Sequence, residues 1–186
     1  MRALTMPRIE GDAFRLRPLE HADIPAWYAF LRLPHVVEHT SWDLASADDL
    51  CASVDAYASD APASSICFAI ESVAEAALVG TIGFNAVSVV NRNAEIAYTL
   101  HPDWWGRGLA TRCCRAVVAW GFSERGYVRI QGTALDTNQA SMRVLEKCGF
   151  AREGKLRSFR LVRRQPRDYW MYSVIADRVD AMGPDR

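Results

Sequence analysis

The chain of 186 residues is predicted to fold as one α+β domain, with a mostly antiparallel central sheet of about six or seven strands flanked by helices. Two features predict this class. Three strand-like segments follow one another between Ile66 and Leu100, which favours antiparallel pairing. Beyond them, one passage alternates helix, strand and helix before a final pair of strands. The length fits a single domain covering residues 1–186.

The first half is predicted to contain a strand and two helices ahead of those three strands. The first strand covers Phe14–Arg17. Ser46 and Asp49 form a capping pair at the start of the second helix, which Ala61-Pro62 ends. Apolar residues at helical spacing mark the first helix, at Ile24, Trp27, Tyr28 and Leu31. The three strands are predicted at Ile66–Glu71, Leu78–Val87 and Ala94–Leu100.

The second half is predicted to begin with a long helix that follows Gly108 and ends before Gly126. Its apolar face consists of Leu109, Cys113, Ala116, Val117 and Trp120. A strand at Val128–Ala134 and a helix at Asp136–Cys148 come next, and we expect Asp136 to cap that helix with Gln139. The domain ends in two strands at Ala151–Val162 and Asp168–Ile175, joined by a turn at Arg163–Pro166.

The junction between a strand and the long helix, His101–Thr111, contains the closely spaced Gly106 and Gly108. Glycines let the backbone turn tightly and approach a ligand, and the first turn of a helix presents unpaired N–H groups and a positive dipole end. The junction therefore predicts a phosphate-binding loop. A lone Gly-x-Gly is a weak signal, and by itself it is also compatible with a simple tight turn.

Composition bounds the class of protein further. No apolar run is long enough to cross a bilayer and the N-terminus lacks a signal-type segment, so we expect a soluble cytoplasmic protein with no membrane partner. The five cysteines form no Cys-x-x-Cys pair and have no histidine at metal-ligand spacing, which favours reduced, mostly buried thiols and no metal site.

Charge is distributed unevenly although the net charge is zero. The segment 33–91 contains eight acidic residues and no Lys or Arg, whereas 107–167 contains fourteen basic and four acidic residues. One interpretation is a set of solvated faces. The other is a bipolar protein, with an acidic lip suited to a cationic partner and a basic half suited to polyanions.

Two motifs resemble the GNAT acyltransferase superfamily, and in particular its ribosomal-protein-alanine N-acetyltransferase branch. The first is His-Pro-x-x-Trp-Gly-x-Gly-x-Ala-Thr at 101–111, and the second is Asp-Thr-Asn-Gln-Ala-Ser at 136–141 with Glu-Lys-Cys-Gly-Phe at 146–150. The resemblance covers about Gly11–Ala176. Trp105 stands where the superfamily often has Gln or Arg, and Arg112 stands where an acid often follows Ala-Thr; an aromatic at 105 is familiar in this branch.

The resemblance implies that acetyl-CoA is the acyl donor. Its pyrophosphate would lie on the backbone of the loop and first helical turn, at Gly106, Arg107, Gly108, Leu109, Ala110 and Thr111. Asn138 would contact the coenzyme, or cap its own helix. The strand that ends at Leu100 would splay from its neighbour, so that backbone groups at Tyr98 and Leu100 serve the pantetheine arm and the acyl oxygen.

For proton transfer, the resemblance and the residue types favour Glu95 as the base and Ser141 as the group near the thiol. An acid in an apolar strand needs a wet cleft or a charged partner, so Glu95 is also compatible with an ion pair to an arginine such as Arg92. It could act through a water. His101 and Tyr98 are further candidates, which we interpret as structural and core-lining respectively.

The acceptor is predicted from the acidic lip, where Trp42 and Asp43 are the candidate binding residues. A cationic acceptor fits there: the N-terminal α-amine of a basic ribosomal protein, a polyamine or an aminoglycoside. A non-catalytic acyl-CoA sensor on the same fold stays open, and a homodimer is possible. A dinucleotide oxidoreductase is disfavoured because Thr111 replaces the third glycine and no acid ends the next strand. Nucleic-acid binding by the Arg-rich hairpin 152–167 is disfavoured, because one such hairpin is usually a solvated or coenzyme-facing surface.

Overall fold

The computed structural model describes residues 5–176. Seven strands form one sheet: β1 (Phe14–Pro18), β2 (Ile66–Ser72), β3 (Ala77–Ser88), β4 (Asn93–Leu100), β5 (Arg129–Leu135), β6 (Ala151–Val162) and β7 (Gln165–Ile175). The α-helices are α1 (Ile24–Leu31), α2 (Pro34–Val37), α3 (Cys51–Tyr57), α4 (Leu109–Ser123) and α5 (Gln139–Lys147). Short 3₁₀ turns precede α1 and α3 and follow β4.

The strand order is β1-β2-β3-β4-β5-β7-β6, and every neighbouring pair is antiparallel except β4 and β5. The parallel pair requires a crossover, which α4 provides. The predicted fold class, a single mostly antiparallel sheet flanked by helices, is confirmed. The two antiparallel groups of strands meet only along β4 and β5, and this junction is where the site is built.

Helices cover both faces of the sheet. The apolar face predicted for the long helix is largely buried on one side, where Leu109, Cys113 and Val117 join the main core. Gly121 lets α4 approach β3, since a Cβ there would lie 2.7 Å from the ring of Phe84. Helices α1 to α3 form a second cluster against the opposite face. Alternation along β2 explains the division, because neighbouring residues such as Phe68 and Ala69 point to different faces.

An ion-pair network anchors α1 to the edge of the sheet. Both guanidinium nitrogens of Arg17 donate to the carboxylate of Asp23, at 2.7 Å each, and Arg17 also pairs with Glu71. Arg15 donates to Glu71 from the same strand, at 2.9 Å. Glu71 and Asp23 are both buried. The hydrogen bond from Arg17 is the main cause that holds the pKa of Glu71 below its usual value.

Several element boundaries differ from the sequence prediction. Asn138, not Asp136, caps α5: its side-chain oxygen accepts from the backbone N–H of Ser141 at 3.0 Å. Asp136 is instead bound by Lys155, at 3.1 Å. β7 begins three residues earlier than predicted, because Arg163 and Arg164 both adopt positive φ, of 48° and 62°, and complete a two-residue hairpin turn.

The first helix, predicted at Ile24 to Leu31, is confirmed, but the second is shorter than predicted. The capping pair of Ser46 and Asp49 is confirmed, but it opens a 3₁₀ turn that leads into α3, and α3 ends at Tyr57 rather than at Ala61-Pro62. The four-residue helix α2 was not predicted. Pro34 starts it in the first-turn position that proline tolerates, but a single turn has no periodic pattern to detect.

Candidate active site

The site lies where β4 separates from β5. These strands pair only at Asn93–Glu95, and their paths diverge beyond Glu95. The N–H of His101 donates to the carbonyl of Val79 on β3. Backbone groups alternate between the two neighbours of a strand, so those of Tyr98 and Leu100 point away from β3 and toward the gap. This is the splayed strand that the resemblance to the GNAT superfamily implied.

A cavity of about 390 Å³ occupies the gap. Its lining joins three elements that are distant in sequence: the end of β4, the glycine loop with the first turn of α4, and α5. Eight of the predicted coenzyme-contacting residues line it, namely Tyr98, Leu100, Gly106, Gly108, Leu109, Ala110, Thr111 and Asn138. Arg107 does not line it; its guanidinium packs over the ring of Trp104, at 5.0 Å.

The glycine loop has the backbone conformation expected of an anion site. Gly106 and Gly108 have φ values of 72° and 74°, in the left-handed region that non-glycine residues adopt only at a cost. Gly108 caps α4, and the first helical bond runs from the N–H of Arg112 to its carbonyl. The amides of Leu109, Ala110 and Thr111 precede that bond, so they have no partner within the helix and are available to an anion.

The α5 wall supplies two cations and the hydroxyl of Ser141, which pairs with the hydroxyl of Tyr98 on β4. The hydroxyl of Tyr98 lies 2.9 Å from the side-chain oxygen of Ser141, and it also donates to the Ser141 carbonyl at 3.2 Å. Burial raises the pKa of Tyr98, so the phenol stays protonated at neutral pH. Arg143 and Lys147 are exposed, lie one turn apart and line the same cavity. Neither cation could be chosen from the sequence among the many basic residues of this half.

Trp105 connects the two sides of the cavity. Its indole N–H donates to the carbonyl of Leu100 at 2.9 Å, and the ring of His35 packs edge-on against it at 5.6 Å. His101 has a structural role, as interpreted from the sequence: its Nδ1 accepts from the N–H of Asp103, and its ring packs on Phe30. Trp105, where the superfamily often has Gln or Arg, is thus held by contacts with both Leu100 and His35.

The remaining wall comes from α2 and the residues after it: His35, Val36, His39 and Thr40. Sequence reasoning missed this wall because α2 was not recognised. The tip of the β6–β7 hairpin reaches across to it, where Arg163 donates to the carbonyl of Val37 at 2.8 Å. The only sequence signal was the presence of His35 and His39 within a segment that has neither Lys nor Arg.

Glu95 lies at the point where β4 and β5 diverge, and it does not line the cavity. One carboxylate oxygen accepts from the hydroxyl of Thr133 and from the guanidinium of Arg160, both at 2.7 Å. The side chain of Glu95 is 10% exposed and that of Arg160 is 39% exposed. An ion pair was one of the two predicted environments, but the partner is not Arg92, which donates to the carbonyl of Gly126.

The acidic lip is separate from the cavity. Trp42 packs edge-on against Trp27 in the second core cluster, at 5.7 Å between ring centroids, and Asp43 is exposed. Neither residue lines the cavity, whose lining contains no carboxylate among the described residues. The acidic residues of the lip therefore lie outside the enclosed part of the site, and their charge can act on an acceptor only at a distance or near the entrance.

Other features of the described chain bear on cofactors and environment. All five cysteines are free, and Cys113 and Cys114 are buried in the main core. Within residues 5–176, no cluster of His, Cys, Asp and Glu has the arrangement of a metal site. None of the described helices combines the length and apolar character needed to span a membrane.

The open mixed sheet, the split between two strands and the glycine loop at a helix start together define the architecture of a coenzyme A-dependent acyltransferase. The family model described as an acetyltransferase (GNAT) domain matches residues 14–151. The chain belongs to the GNAT acetyltransferase family.

Two sequence relatives carry N-acetyltransferase names without an established acceptor. The chain is 41% identical over 101 residues to YoaA of Bacillus subtilis, an alignment that covers 54% of this chain and 57% of YoaA. It therefore spans little more than half the length of that relative. It is 24% identical over 174 residues to p20 of Bacillus licheniformis, covering 91% of this chain and 97% of p20.

Solved structures share the fold at lower identity. A ribosomal-protein-S5-alanine acetyltransferase from Vibrio fischeri superposes with a TM-score of 0.79 at 18% identity, over 91% of this chain and 96% of that chain. A spermidine N-acetyltransferase chimera that includes the Vibrio cholerae enzyme superposes with a TM-score of 0.76 at 20% identity, over 88% and 96%. Enzymes whose names indicate different acceptors thus share one scaffold.

Proposed function

We propose that this protein transfers the acetyl group of acetyl-CoA to a primary amine, and that the acceptor is the N-terminal α-amine of a protein. One observation carries the proposal. A single cavity is bordered by the free amides of a helix start and by the Tyr98–Ser141 hydroxyl pair, so one site offers an anion cradle together with proton donors.

The residues present fit coenzyme A. The amides of Leu109 to Thr111 suit the pyrophosphate, and the left-handed Gly106 and Gly108 keep side chains out of its path. Arg143 and Lys147 are the cations of the cavity lining that would meet the coenzyme's phosphate groups. Asn138 caps α5 and in this proposal also contacts the coenzyme beside Ser141.

Acetyl-CoA supplies an activated thioester. In the transfer, the amine nitrogen bonds to the acyl carbon, the carbon–sulfur bond breaks, the amine loses a proton and the sulfur gains one. The backbone of Tyr98 and Leu100 faces the gap and would serve the acyl oxygen. Ser141 would orient the sulfur and, with the protonated phenol of Tyr98, would deliver its proton.

Glu95 is our proposed base, acting through water. It lies beside the cleft but outside the enclosed cavity, which makes direct contact with the amine less suitable than a relay. Thr133 and Arg160 both bind one of its oxygens, so they hold the carboxylate in a fixed orientation. In this arrangement the two partners position Glu95, and the second oxygen is the one available to a bridging water.

A protein N-terminus suits the site for two reasons. An α-amine has a pKa near 8, so roughly a tenth of it is neutral at pH 7, whereas the amine of a lysine, with a pKa near 10.4, is almost entirely charged. A lining without carboxylates gives little stabilisation to a multiply charged amine. The acidic lip outside the cavity would attract a basic protein during its approach, with Trp42 and Asp43 at the entrance.

The alternative acceptor is a small polyamine. The structural similarity to a spermidine acetyltransferase favours it equally at the level of the fold. A non-catalytic sensor of acyl-CoA is a further alternative, and it predicts binding of the coenzyme without turnover.

The test is an acceptor screen with detection of the released thiol. The purified chain is first titrated with acetyl-CoA by calorimetry and then assayed with basic N-terminal peptides, spermidine and aminoglycosides. We expect saturable binding of acetyl-CoA and turnover of the peptides. Binding without turnover of any amine supports the sensor, turnover of spermidine alone supports the polyamine acceptor, and the absence of coenzyme binding rejects the proposal entirely.

A further inference from the structure

Two polar atoms of the α2 wall are buried without a hydrogen-bond partner among the described residues: Nδ1 of His39 and the hydroxyl oxygen of Thr40. Buried polar groups are nearly always satisfied in folded proteins. Both residues line the cavity opposite Asn138 and Ser141. Neither atom has accessible surface while the cavity is open, so a bound ligand could complete their hydrogen bonds only after both side chains rotate toward it.

The position of these residues is held from across the cleft. Arg163, at the tip of the β6–β7 hairpin, donates to the carbonyls of Val37 and Glu38, at 2.8 and 3.5 Å. Those carbonyls immediately precede His39 in the chain. Arg163 itself adopts a left-handed conformation with φ of 48°, which surrounding contacts must stabilise in a residue with a side chain. The hairpin tip and the α2 wall are therefore coupled through Arg163.

The chemistry of the two groups matches a peptide unit. A neutral imidazole nitrogen without hydrogen accepts a bond from an N–H, and a threonine hydroxyl can donate to a C=O. The first peptide group after an N-terminal amine offers one of each. A protonated polyamine offers donors only: both groups could accept from it, but the hydroxyl hydrogen of Thr40 would then have no acceptor.

We propose that His39 and Thr40 recognise the first peptide group of the acceptor, and that Arg163 positions them. The inference rests on the proposed acetyl transfer to a protein N-terminus and adds the residues that select a peptide over a polyamine. The proposal requires the side chains of His39 and Thr40 to rotate toward the cavity when the acceptor binds. The charged or titratable lining residues around them are His35, Tyr98, Arg143 and Lys147, none of which is acidic.

The test is steady-state kinetics with a basic hexapeptide that begins with alanine, compared with the same peptide N-methylated at its second residue. Thr40→Val removes the hydroxyl at nearly constant volume, and Thr40→Ser restores it. His39→Gln removes an acceptor at the Nδ1 position, and His39→Asn retains one there. We expect Thr40→Val and His39→Gln to raise KM for the peptide about 10-fold, which is the effect of one lost hydrogen bond.

The two conservative variants should stay within about 3-fold of the native KM. In every variant, KM for acetyl-CoA and kcat at saturating peptide should be unchanged. A merely structural role would not change KM for the peptide alone. N-methylation should raise the native KM about 10-fold and should have little effect in His39→Gln, because the partner of the missing hydrogen is already lost. His21→Gln, an exposed histidine paired with Asp55, is the matched control.

Arg163→Met should raise the peptide KM in the same direction, and Arg164→Met, in the same turn, should not. Three results would overturn the inference while leaving acetyl transfer intact. The first is an unchanged peptide KM in Thr40→Val and His39→Gln, and the second is an equal rise in KM for acetyl-CoA. The third is turnover of spermidine but not of the peptide. If no amine is acetylated, calorimetry of the peptide with coenzyme-loaded protein decides: binding that Thr40→Val weakens supports the recognition, and equal or absent binding rejects it.

Discussion

The side of the cavity proposed for the donor and the side proposed for the acceptor are built from different groups. On the donor side, the loop from Gly106 to Thr111 presents backbone amides at the start of a 15-residue helix. On the acceptor side, the wall consists of side chains on α2, a helix of four residues, and on the segment that follows it. In the proposed complex, backbone amides meet the donor's pyrophosphate, with Arg143 and Lys147 near its phosphate groups, whereas side chains alone meet the acceptor.

In this chain, such a difference would let the acceptor wall change while the fold and the donor loop stay the same. A backbone cradle depends on two glycines and a helix start, so changes of surface side chains leave it intact. A side-chain wall held by tertiary contacts such as Arg163 can be rebuilt without disturbing the sheet. Four predictions test the contrast, from the largest expected effect to the smallest.

Gly108→Asp should abolish the binding of acetyl-CoA at the glycine loop. The aspartate would be strained at φ of 74°, and its charge would repel the pyrophosphate. Repulsion between unit charges about 4 Å apart at an effective dielectric of about 20 is worth ~4 kcal/mol, so affinity for acetyl-CoA should fall about 1,000-fold in calorimetry.

Gly11→Asp is the matched control, since Gly11 has a similar φ of 82°, lies outside the cavity and also has open space around its Cβ. It should lose stability to the same extent and keep its affinity for acetyl-CoA. Equal affinity in both variants would contradict the backbone cradle.

Glu95→Gln should lower turnover about 100-fold, the lower range for loss of a general base, without weakening acetyl-CoA binding. The loss should be greatest at low pH, where the smallest fraction of the amine is neutral. Rate profiles against pH for the native chain and the variant measure this effect. Glu75→Gln, an exposed glutamate in the turn between β2 and β3, should match the native profile, and a native profile in Glu95→Gln would exclude the base role.

A buried and an exposed ion pair of the fold should respond to acid with different strength. Glu71, beneath α1, is buried with two arginines, whereas Glu153, which accepts from Arg129 and Ser173 beside β5, is exposed. Both have a lowered pKa in the folded protein, Glu153 to about 2. Each therefore contributes stability that is complete above its unfolded-state pKa, about 4.5, and is lost as the pH falls toward the folded value.

Chemical denaturation at pH 7 should show a loss of about 2 kcal/mol for Glu71→Gln and less than about 1 kcal/mol for Glu153→Gln. Below the folded-state values the differences from the native chain should shrink, because the native carboxyls are then protonated as well. A larger effect at Glu153 than at Glu71 would contradict the expectation that the buried pair contributes more stability than the exposed one.

Asn138→Ala should cost about 1 kcal/mol of stability, the usual effect of losing a helix cap. Asn138→Asp keeps the cap oxygen and should restore that stability. If Asn138 also contacts the coenzyme, Asn138→Asp will still weaken acetyl-CoA binding several-fold through its added charge. If Asn138→Asp instead keeps both the stability and the acetyl-CoA affinity of the native chain, Asn138 has the capping role alone.

The donor side was largely predictable because its signals are local. The strand before His101, the two glycines and the apolar face of α4 lie within one stretch of chain, and their periods and turn residues are read directly. The cap of α5 was harder, since Asp136 and Asn138 both fit a capping pattern. Lys155, on a strand still to come, binds Asp136 and leaves the cap to Asn138.

The acceptor side was less predictable because its positions are set by long-range contacts. The partner of Glu95 is Arg160, 65 residues further along the chain, where the nearby Arg92 was expected. Trp42 was predicted to bind the acceptor from the charge around it; its ring packs against Trp27 and does not line the cavity, so its contact with an acceptor stays a prediction. A charge pattern indicates which residues are solvated, but it does not predict which residues of distant segments contact each other.

The short pairing of β4 with β5 has a further consequence for thermal stability. Over three residue pairs the two antiparallel groups of strands share a ladder, and beyond Glu95 they are joined by side-chain packing such as that of Ile96 with Leu145 around Gly132. A coenzyme lying in the gap would bridge this seam. Because it binds the native state alone, its binding free energy is added to the stability of the fold, and the unfolding temperature becomes a measure of how much acetyl-CoA the protein meets.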